Sequence, residues 1–239
     1  MKRFVVMAGV LLGISFSGSA APLCVTGSLT SFIALGSGGC EVGDLQFFGF
    51  ASLTAPPGST ALAPGAITVS PNTSGGPGLL FTLSGANSSS VAILDARLGF
   101  DVTPVAGARN RISDSTLTQN GGTATGSGGV TGVETICVGS AITATGACPG
   151  TLASRNLGTF AIAGLTGTTD NLVFGPTGLA GIVGDFSAGG GPNGTAAVTS
   201  FGINISESAV PEPATVLLTG CALLGLGFGR RWYSQRARR

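Results

Sequence analysis

Apolar and polar residues alternate along much of this chain, and the alternation constrains the fold more than any other feature of the sequence. Phe201, Ile203 and Ile205 are each followed by a small or polar residue, so a strand at this point would bury one face only. Further strands are predicted at residues 45–51, 66–70, 78–84, 91–102, 111–119, 130–138, 157–163 and 171–174. Short strands with glycine-rich turns predict an all-β fold, as a single β-sandwich or jelly-roll-like domain over residues 21–206.

Charged side chains are scarce between the two ends of the chain, and the types present exclude several functions. Residues 21–209 hold four arginines and nine acids, a net charge of −5, with no lysine and no histidine. A surface without a basic patch does not neutralise phosphates, so we expect no nucleic-acid binding. The missing residues remove the commonest general base, Ser-His-Asp and Cys-His sites and any Schiff-base amine. We therefore expect that the protein is not an enzyme.

Carboxylates are the remaining source of chemistry. Asp95 and Asp101 lie six residues apart on one predicted strand, so both would point to the same face. Two acids can hydrolyse a glycosidic bond, but six residues along a strand separate them by roughly 20 Å. We expect them on the solvent face of a half-exposed strand. A hydrolase would need these acids and Asp114 to converge in a cleft, so no catalytic residue is assigned.

The first twenty residues have the three parts of a secretory signal peptide. Lys2 and Arg3 precede an apolar stretch at residues 4–14, and small residues then lead to Ala20. The apolar stretch is shorter than the ~20 residues of a membrane-spanning helix. We expect cleavage after Ala20 and export of the following domain.

Export changes how the cysteines are interpreted, because disulfides persist outside the cytoplasm. Cys24, Cys40, Cys137 and Cys148 lie in the domain and allow three pairings. We favour Cys24–Cys40 and Cys137–Cys148, since each pair closes a short local loop. The absence of histidine and of CxxC in the sequence argues against zinc.

Calcium is harder to exclude from the sequence, because oxygen ligands suffice for this ion. Glu41, Asp44 and Glu134 lie close to cysteines along the chain, but the sequence has no EF-hand loop. We expect Glu41 and Asp44 in a polar turn after Cys40, and we assign no metal site and no cofactor.

An uncharged apolar run at residues 214–229 is followed by a basic tail at residues 230–239, which begins with Arg230 and Arg231. A helix over the run would be about 24 Å long, which is short of the ~30 Å hydrocarbon core. Arginines that snorkel can extend the span. We expect one transmembrane helix with its arginines in the cytoplasm and the domain on the other side, joined to it by a linker at residues 207–210.

Val210, Pro211, Glu212 and Pro213, then the apolar run, then the arginine pair, resemble the PEP-CTERM sorting signal. The resemblance covers residues 211–239, with the motif at 211–213, and its three parts occur in order. It implies a Gram-negative bacterium, processing by exosortase, a membrane cysteine protease, and association with exopolysaccharide or biofilm matrix. A second resemblance, at residues 28–36, 39–44, 47–50 and 135–137, is to PEP-CTERM proteins of uncharacterised function, and it implies one exported domain without an assigned activity.

Three functional hypotheses follow from these features. The first is a structural protein that is anchored in the inner membrane and then sorted to the cell surface or the extracellular matrix. The second is a polysaccharide- or calcium-binding module. The third, a carboxylate-based hydrolase, has the least support because the other catalytic groups are missing.

Overall fold

A computed structural model describes residues 21–83, 87–88, 93–108, 110–160 and 166–209. Within these ranges the chain forms short and long strands, one α-helix and a 3-10 turn at Pro64–Ala66. No helix in the described ranges has the length and apolar character needed to cross a bilayer. In chain order, the elements are β1 Gly27–Ser28, α1 Leu29–Ile33, β2 Cys40–Val42, β3 Leu45–Ser52, β4 Ser59–Ala61, β5 Ile67–Asn72, β6 Gly78–Leu83, β7 Asn87–Ser88, β8 Ile93–Pro104, β9 Asn110–Asn120, β10 Thr123–Thr125, β11 Gly129–Val138, β12 Thr151–Phe160, β13 Thr166–Gly167, β14 Thr169–Thr177, β15 Ala180–Gly189, β16 Thr195–Ala197 and β17 Ser200–Ala209.

The strands form three sheets. The large sheet has the order β13-β12-β11-β15-β8-β3-β2, and β4 adds to β8 as a parallel strand. The second sheet has the order β1-β5-β6-β17-β9-β14, and a small sheet has the order β10-β16-β7. All strand pairs other than β4 with β8 are antiparallel. The all-β class predicted from the alternating pattern is confirmed.

Phenylalanines join the large sheet to the second sheet. Phe186 of β15 stacks on Phe201 of β17, with ring centroids 4.3 Å apart and ring planes 6° from parallel. Phe81 of β6 lies 5.8 Å from Phe100 of β8 and 6.0 Å from Phe186, measured between ring centroids. All four side chains are fully buried. The two sheets therefore pack face to face over an aromatic interior, which is the arrangement of a β-sandwich.

Two inward-facing glycines make room for the stacked rings. A Cβ atom on Gly132 of β11 would lie 2.5 Å from Phe201 Cε1, and one on Gly184 of β15 would lie 2.6 Å from Phe186 Cζ. Both distances are well inside van der Waals contact in an interior that is packed as densely as an organic crystal. The glycines allow the aromatic pair to lie flat between the sheets.

The outer face of the large sheet is covered in part by the loop between β11 and β12. The backbone N–H of Ile142 in this loop donates to Asp101 Oδ1 at 2.9 Å. Gly99 of β8 and Gly181 of β15 lie beneath Ile142, and a Cβ on Gly181 would be 2.5 Å from the Ile142 nitrogen. Strands β8 and β15 are consequently buried on both faces where the loop crosses them.

The alternating pattern does not predict β15, although this strand lies between β8 and β11 in the large sheet. Its sequence contains three glycines, and its first five residues are all buried. A strand that is covered on both faces has no polar face, so it shows no alternation.

Strand β17 continues beyond residue 206 to Ala209, with a bulge between Ser206 and Glu207. Residues 207–209, expected as part of a linker, instead pair with residues 112–110 of β9. Residue 210 and the apolar run and basic tail that follow lie outside the described residues, as do residues 1–20.

We predict that Gly132→Ala lowers the free energy of unfolding by about 1–3 kcal/mol, because the added methyl group overpacks the site against the Phe201 ring. Thermal or urea unfolding of the two proteins measures the difference. Gly175→Ala on β14 is the matched control, since a Cβ at that position has no neighbouring atom within 4 Å. Equal stability of the two variants would contradict this role of Gly132.

Candidate functional site

The two disulfides are the first set of predicted residues that the structure brings together. Cys24 bonds to Cys40 and Cys137 bonds to Cys148, with Cα atoms 4.8 and 5.3 Å apart. The favoured pairing is confirmed. Two disulfides in one domain indicate an extracellular or otherwise oxidising compartment.

Each disulfide fixes a segment that has little regular structure of its own. Around Cys24, the backbone N–H of Cys24 donates to the Glu41 carbonyl at 2.9 Å, and that of Glu41 donates to the Pro22 carbonyl at 2.8 Å. The first described residues are thereby attached to β2. The second disulfide closes the loop that carries Ile142 over the large sheet.

The structure corrects the expected exposure of two acids. Asp95 and Asp101 were expected on a solvent face, but their exposed fractions are only 3% and 7%. Asp101 is covered by the disulfide-closed loop and accepts the hydrogen bond from Ile142. Asp95 lies next to Asp185 of β15, a residue that the sequence analysis did not single out. The two predicted acids therefore have separate partners and do not form a pair.

Asp95, Arg97 and Asp185 form a polar cluster on the outer face of the large sheet. Arg97 is directly across from Asp185 in the β8–β15 register, and its Nε atom lies 3.8 Å from Asp185 Oδ2. Arg97 Nη1 also donates to the Thr54 carbonyl at 3.3 Å. About a third of the side chains of Arg97 and Asp185 is exposed, at 33% and 29%. Within the cluster, Asp95 is therefore buried, whereas the charged side chains of Arg97 and Asp185 are partly accessible to solvent.

The pKa of Asp95 is raised to about 6, and burial is the largest cause. The charge and hydrogen bond of Asp185 raise it further, whereas Arg97 opposes the rise. Burial also raises the pKa of Asp185, against the opposing effects of Arg97 and Asp95. The two carboxyl groups therefore share a proton under mildly acidic conditions, as closely placed carboxyls do. A shared proton removes one of the two negative charges, so a single arginine is enough to accompany both acids in the cluster.

A hydroxyl pair extends the polar cluster across the sheet. The hydroxyls of Thr131 on β11 and Ser187 on β15 are 2.6 Å apart, and Ser187 is directly across from Asp95 in the strand register. This surface, formed by Arg97, Asp185, Ser187 and Thr131, is called the polar strip below. It offers donors and acceptors to a ligand, but no histidine or lysine is available in the domain to act as a base or an amine nucleophile.

A second polar cluster holds the end of β17 and consists of Asp44, Asn110 and Glu207. Asn110 Nδ2 donates to Asp44 Oδ2 at 3.2 Å and to Glu207 Oε2 at 3.4 Å. Burial, with the hydrogen bond and charge of Asp44, raises the pKa of Glu207 to about 7, and Asn110 opposes this rise. The hydrogen bond with Glu207 is the main cause that lowers the pKa of Asp44. This strand-end cluster connects the turn between β2 and β3 to the last residues of the domain.

The three acids considered for calcium lie in different surroundings. Glu41 is in β2 and accepts a hydrogen bond from the Ala21 nitrogen at 3.1 Å, whereas Asp44 lies in the turn and belongs to the strand-end cluster. Glu134 is fully buried between the sheets, where Ser115 Oγ donates to it at 2.7 Å. Among the residues that the structure describes, no three metal-ligating side chains form a group.

The predicted sorting residues Val210, Pro211, Glu212, Pro213, Arg230 and Arg231 lie outside the described residues. Strand β17 is the last described element, and its last residue, Ala209, directly precedes Val210 in the sequence. Comparisons of the chain with protein-family models and with curated proteins found no match.

We predict that Asp95→Asn raises the free energy of unfolding at pH 7.5 and changes it little at pH 4.5. The folded pKa of Asp95 lies above the ordinary aspartate value, so the folded chain binds more protons than the unfolded chain between about pH 4 and 6. Stability contributed by this group is therefore lost as the pH rises through 6. One pKa unit corresponds to about 1.4 kcal/mol, so the gain at pH 7.5 should be about 1–3 kcal/mol.

The comparison requires urea unfolding of both proteins at the two pH values. Asp170→Asn on β14 is the control, because it removes the same charge from the other sheet. An equal gain in the control variant would assign the effect to net charge, and an unchanged Asp95→Asn protein at pH 7.5 would contradict the buried acid pair.

Proposed function

We propose that this protein is a non-enzymatic structural component of the cell surface or the extracellular matrix of a Gram-negative bacterium. In this proposal it is exported, anchored by a C-terminal transmembrane helix and then processed by an exosortase. The observation that carries the proposal is the ordered sorting pattern, residues 211–213, 214–229 and 230–239, which follows directly on a disulfide-bonded domain.

The composition of the domain supports a structural role. Its interior is an aromatic and aliphatic core, and its long strands pair over as many as ten residues. The outer loop is closed by a disulfide, which restricts the unfolded chain and so favours the folded domain. A domain with these features is better suited to stay folded outside the cell than to catalyse a reaction.

The short distance between the domain and the motif supports the sorting proposal in a second way. The strand-end cluster holds Glu207, and β17 ends at Ala209. Four residues, 210–213, then lead to the apolar run. A precursor of this kind would hold the folded domain close to the membrane, with the motif between them.

The double variant Pro211→Ala/Pro213→Ala tests the sorting proposal in the producing bacterium. We expect the variant to accumulate in the membrane fraction and to be lost from the cell-surface fraction, as measured by immunoblotting. Pro192→Ala, in an exposed turn of the domain, is the control and should be distributed as the wild-type protein is. A double variant that reaches the surface normally would sink the proposal.

A second candidate function is binding of exopolysaccharide along the polar strip. The partly exposed Arg97 and Asp185 side chains and the Thr131–Ser187 hydroxyl pair favour it, since these groups can donate and accept hydrogen bonds with sugar hydroxyls. We expect Arg97→Gln to reduce retention of the protein on immobilised exopolysaccharide from the producing strain, with Arg111→Gln on β9 as control. Equal retention of both variants, or no retention of the wild-type protein, would remove this candidate.

A further inference from the structure

The carboxylate of Glu41 lies beside the first described residue of the chain. The Ala21 nitrogen donates to Glu41 Oε1 at 3.1 Å. The main chain of Glu41 holds the next residues, since its N–H donates to the Pro22 carbonyl at 2.8 Å and its carbonyl accepts from the Cys24 N–H at 2.9 Å. One residue of β2 therefore contacts three of the first four described residues, 21–24, which we call the N-terminal segment.

The N-terminal segment covers an edge of the large sheet. Strand β2 is the last strand in the order of that sheet, and Leu23 adds to it through a parallel bridge with Glu41. The Cys24–Cys40 disulfide holds the end of the segment, whereas the Ala21 contact holds its beginning. An uncovered edge strand can pair with another chain, and proteins cover their edges for this reason. The contact at Ala21 therefore helps to keep this edge covered.

Glu41 lies in a part of the domain that has few charges. Glu41 and Asp44 are the only charged side chains in residues 21–83, which include β2, its sheet neighbour β3 and α1. Asp44 belongs to the strand-end cluster. Directly across from Glu41 in β3 is Gln46, whose amide donates to the Gly38 carbonyl. Among the side chains that the structure describes, no arginine lies within ion-pair distance of Glu41, so a positive charge at residue 21 would meet this carboxylate without a competing cation.

Removal of the signal peptide changes the chemistry of the Ala21 nitrogen. In the full chain this nitrogen is a neutral peptide N–H. Cleavage after Ala20 converts it into an ammonium group, because an α-amino group has a pKa of about 8 and is largely protonated at neutral pH. The charge adds Coulomb attraction to the hydrogen bond that the Glu41 carboxylate already accepts. Cleavage at this bond would therefore turn the contact into an ion pair.

We propose that the α-ammonium group of Ala21, which forms when the signal peptide is removed, pairs with the Glu41 carboxylate and fastens the N-terminal segment to the edge of the large sheet. This pairing requires the export and cleavage of the proposed function. The precursor has the hydrogen bond without the charge and the mature protein has both, so the edge is covered most firmly after export. The first residues of a domain are usually poorly ordered unless a contact of this kind holds them.

The amino group that forms the pair can be measured without interference from other amines. Lys2 is the only lysine of the chain and lies in the signal peptide, so a chain that begins at Ala21 contains a single primary amine. Acetic anhydride labels an amine in its neutral form. The labelled fraction of the N-terminal peptide at a series of pH values therefore gives the pKa of the α-amino group. The protein is purified from the producing bacterium, and its intact mass identifies its first residue.

We expect the pKa of the Ala21 amino group to be about half a unit higher in the folded protein than in the urea-unfolded protein, because a partly exposed ion pair favours the charged form by about this amount. Glu41→Gln keeps a hydrogen-bond acceptor and removes the charge, so it should abolish the rise. Asp170→Asn is the matched control and should leave the rise intact, since β14 and β1 lie at opposite edges of the second sheet. High salt should reduce the rise in the wild-type protein.

Hydrogen exchange tests whether the ion pair fastens the N-terminal segment. The Cys24 amide donates to the Glu41 carbonyl, so its exchange reports opening of the segment. Half a pKa unit corresponds to about a threefold change in an equilibrium constant. We therefore expect this amide to exchange about threefold faster in Glu41→Gln than in the wild-type protein and in Asp170→Asn.

The possible failures of the pairing and of the export step give different results. A protein that begins at Ala21 and has the same amino-group pKa in its wild-type and Glu41→Gln forms overturns the ion pair and leaves the export step in place. A raised pKa with unchanged exchange at Cys24 overturns the fastening of the segment. A first residue other than Ala21 overturns the pairing together with the expected cleavage, and a protein that retains Lys2 shows that the export step itself has failed.

Discussion

The stacking of Phe186 on Phe201 is the contact on which the rest of the domain depends. It joins the strands at the centre of the large and second sheets, β15 and β17, and the glycines opposite the rings leave room for it. The aromatic contact thus fixes the distance between the sheets and, with it, which residues of each strand face outward.

The outer face of the large sheet carries polar groups that the aromatic interior does not accommodate. The disulfide-closed loop covers Asp101, and the pair of Asp95 and Asp185 is held with Arg97 beside it. The raised pKa values of these acids and of Glu207 mean that the folded domain holds protons more tightly than the unfolded chain. Such a domain gains stability from these groups as the pH falls toward about 4.

The alternating strands and the two disulfides could be predicted from the sequence. The period of two residues indicates a strand, and the short loop between two cysteines indicates their pairing. Strand β15 could not, since burial on both faces removes the alternation. The partnership of Asp95 with Asp185 depends on the register of two strands that are distant in sequence, and no local pattern specifies that register. The end of β17 was placed too early because Glu207 and Ser208 are polar, although they pair with β9.

The central claim is that the sorting segment is cleaved from the domain after export. The intact mass of the protein extracted from the cell surface tests this claim most directly. A chain that begins at Ala21, carries two disulfides and ends before the apolar run agrees with it, and such a protein also lacks Trp232 and Tyr233 and absorbs little light at 280 nm. A surface protein whose mass still includes residues 230–239 would contradict it.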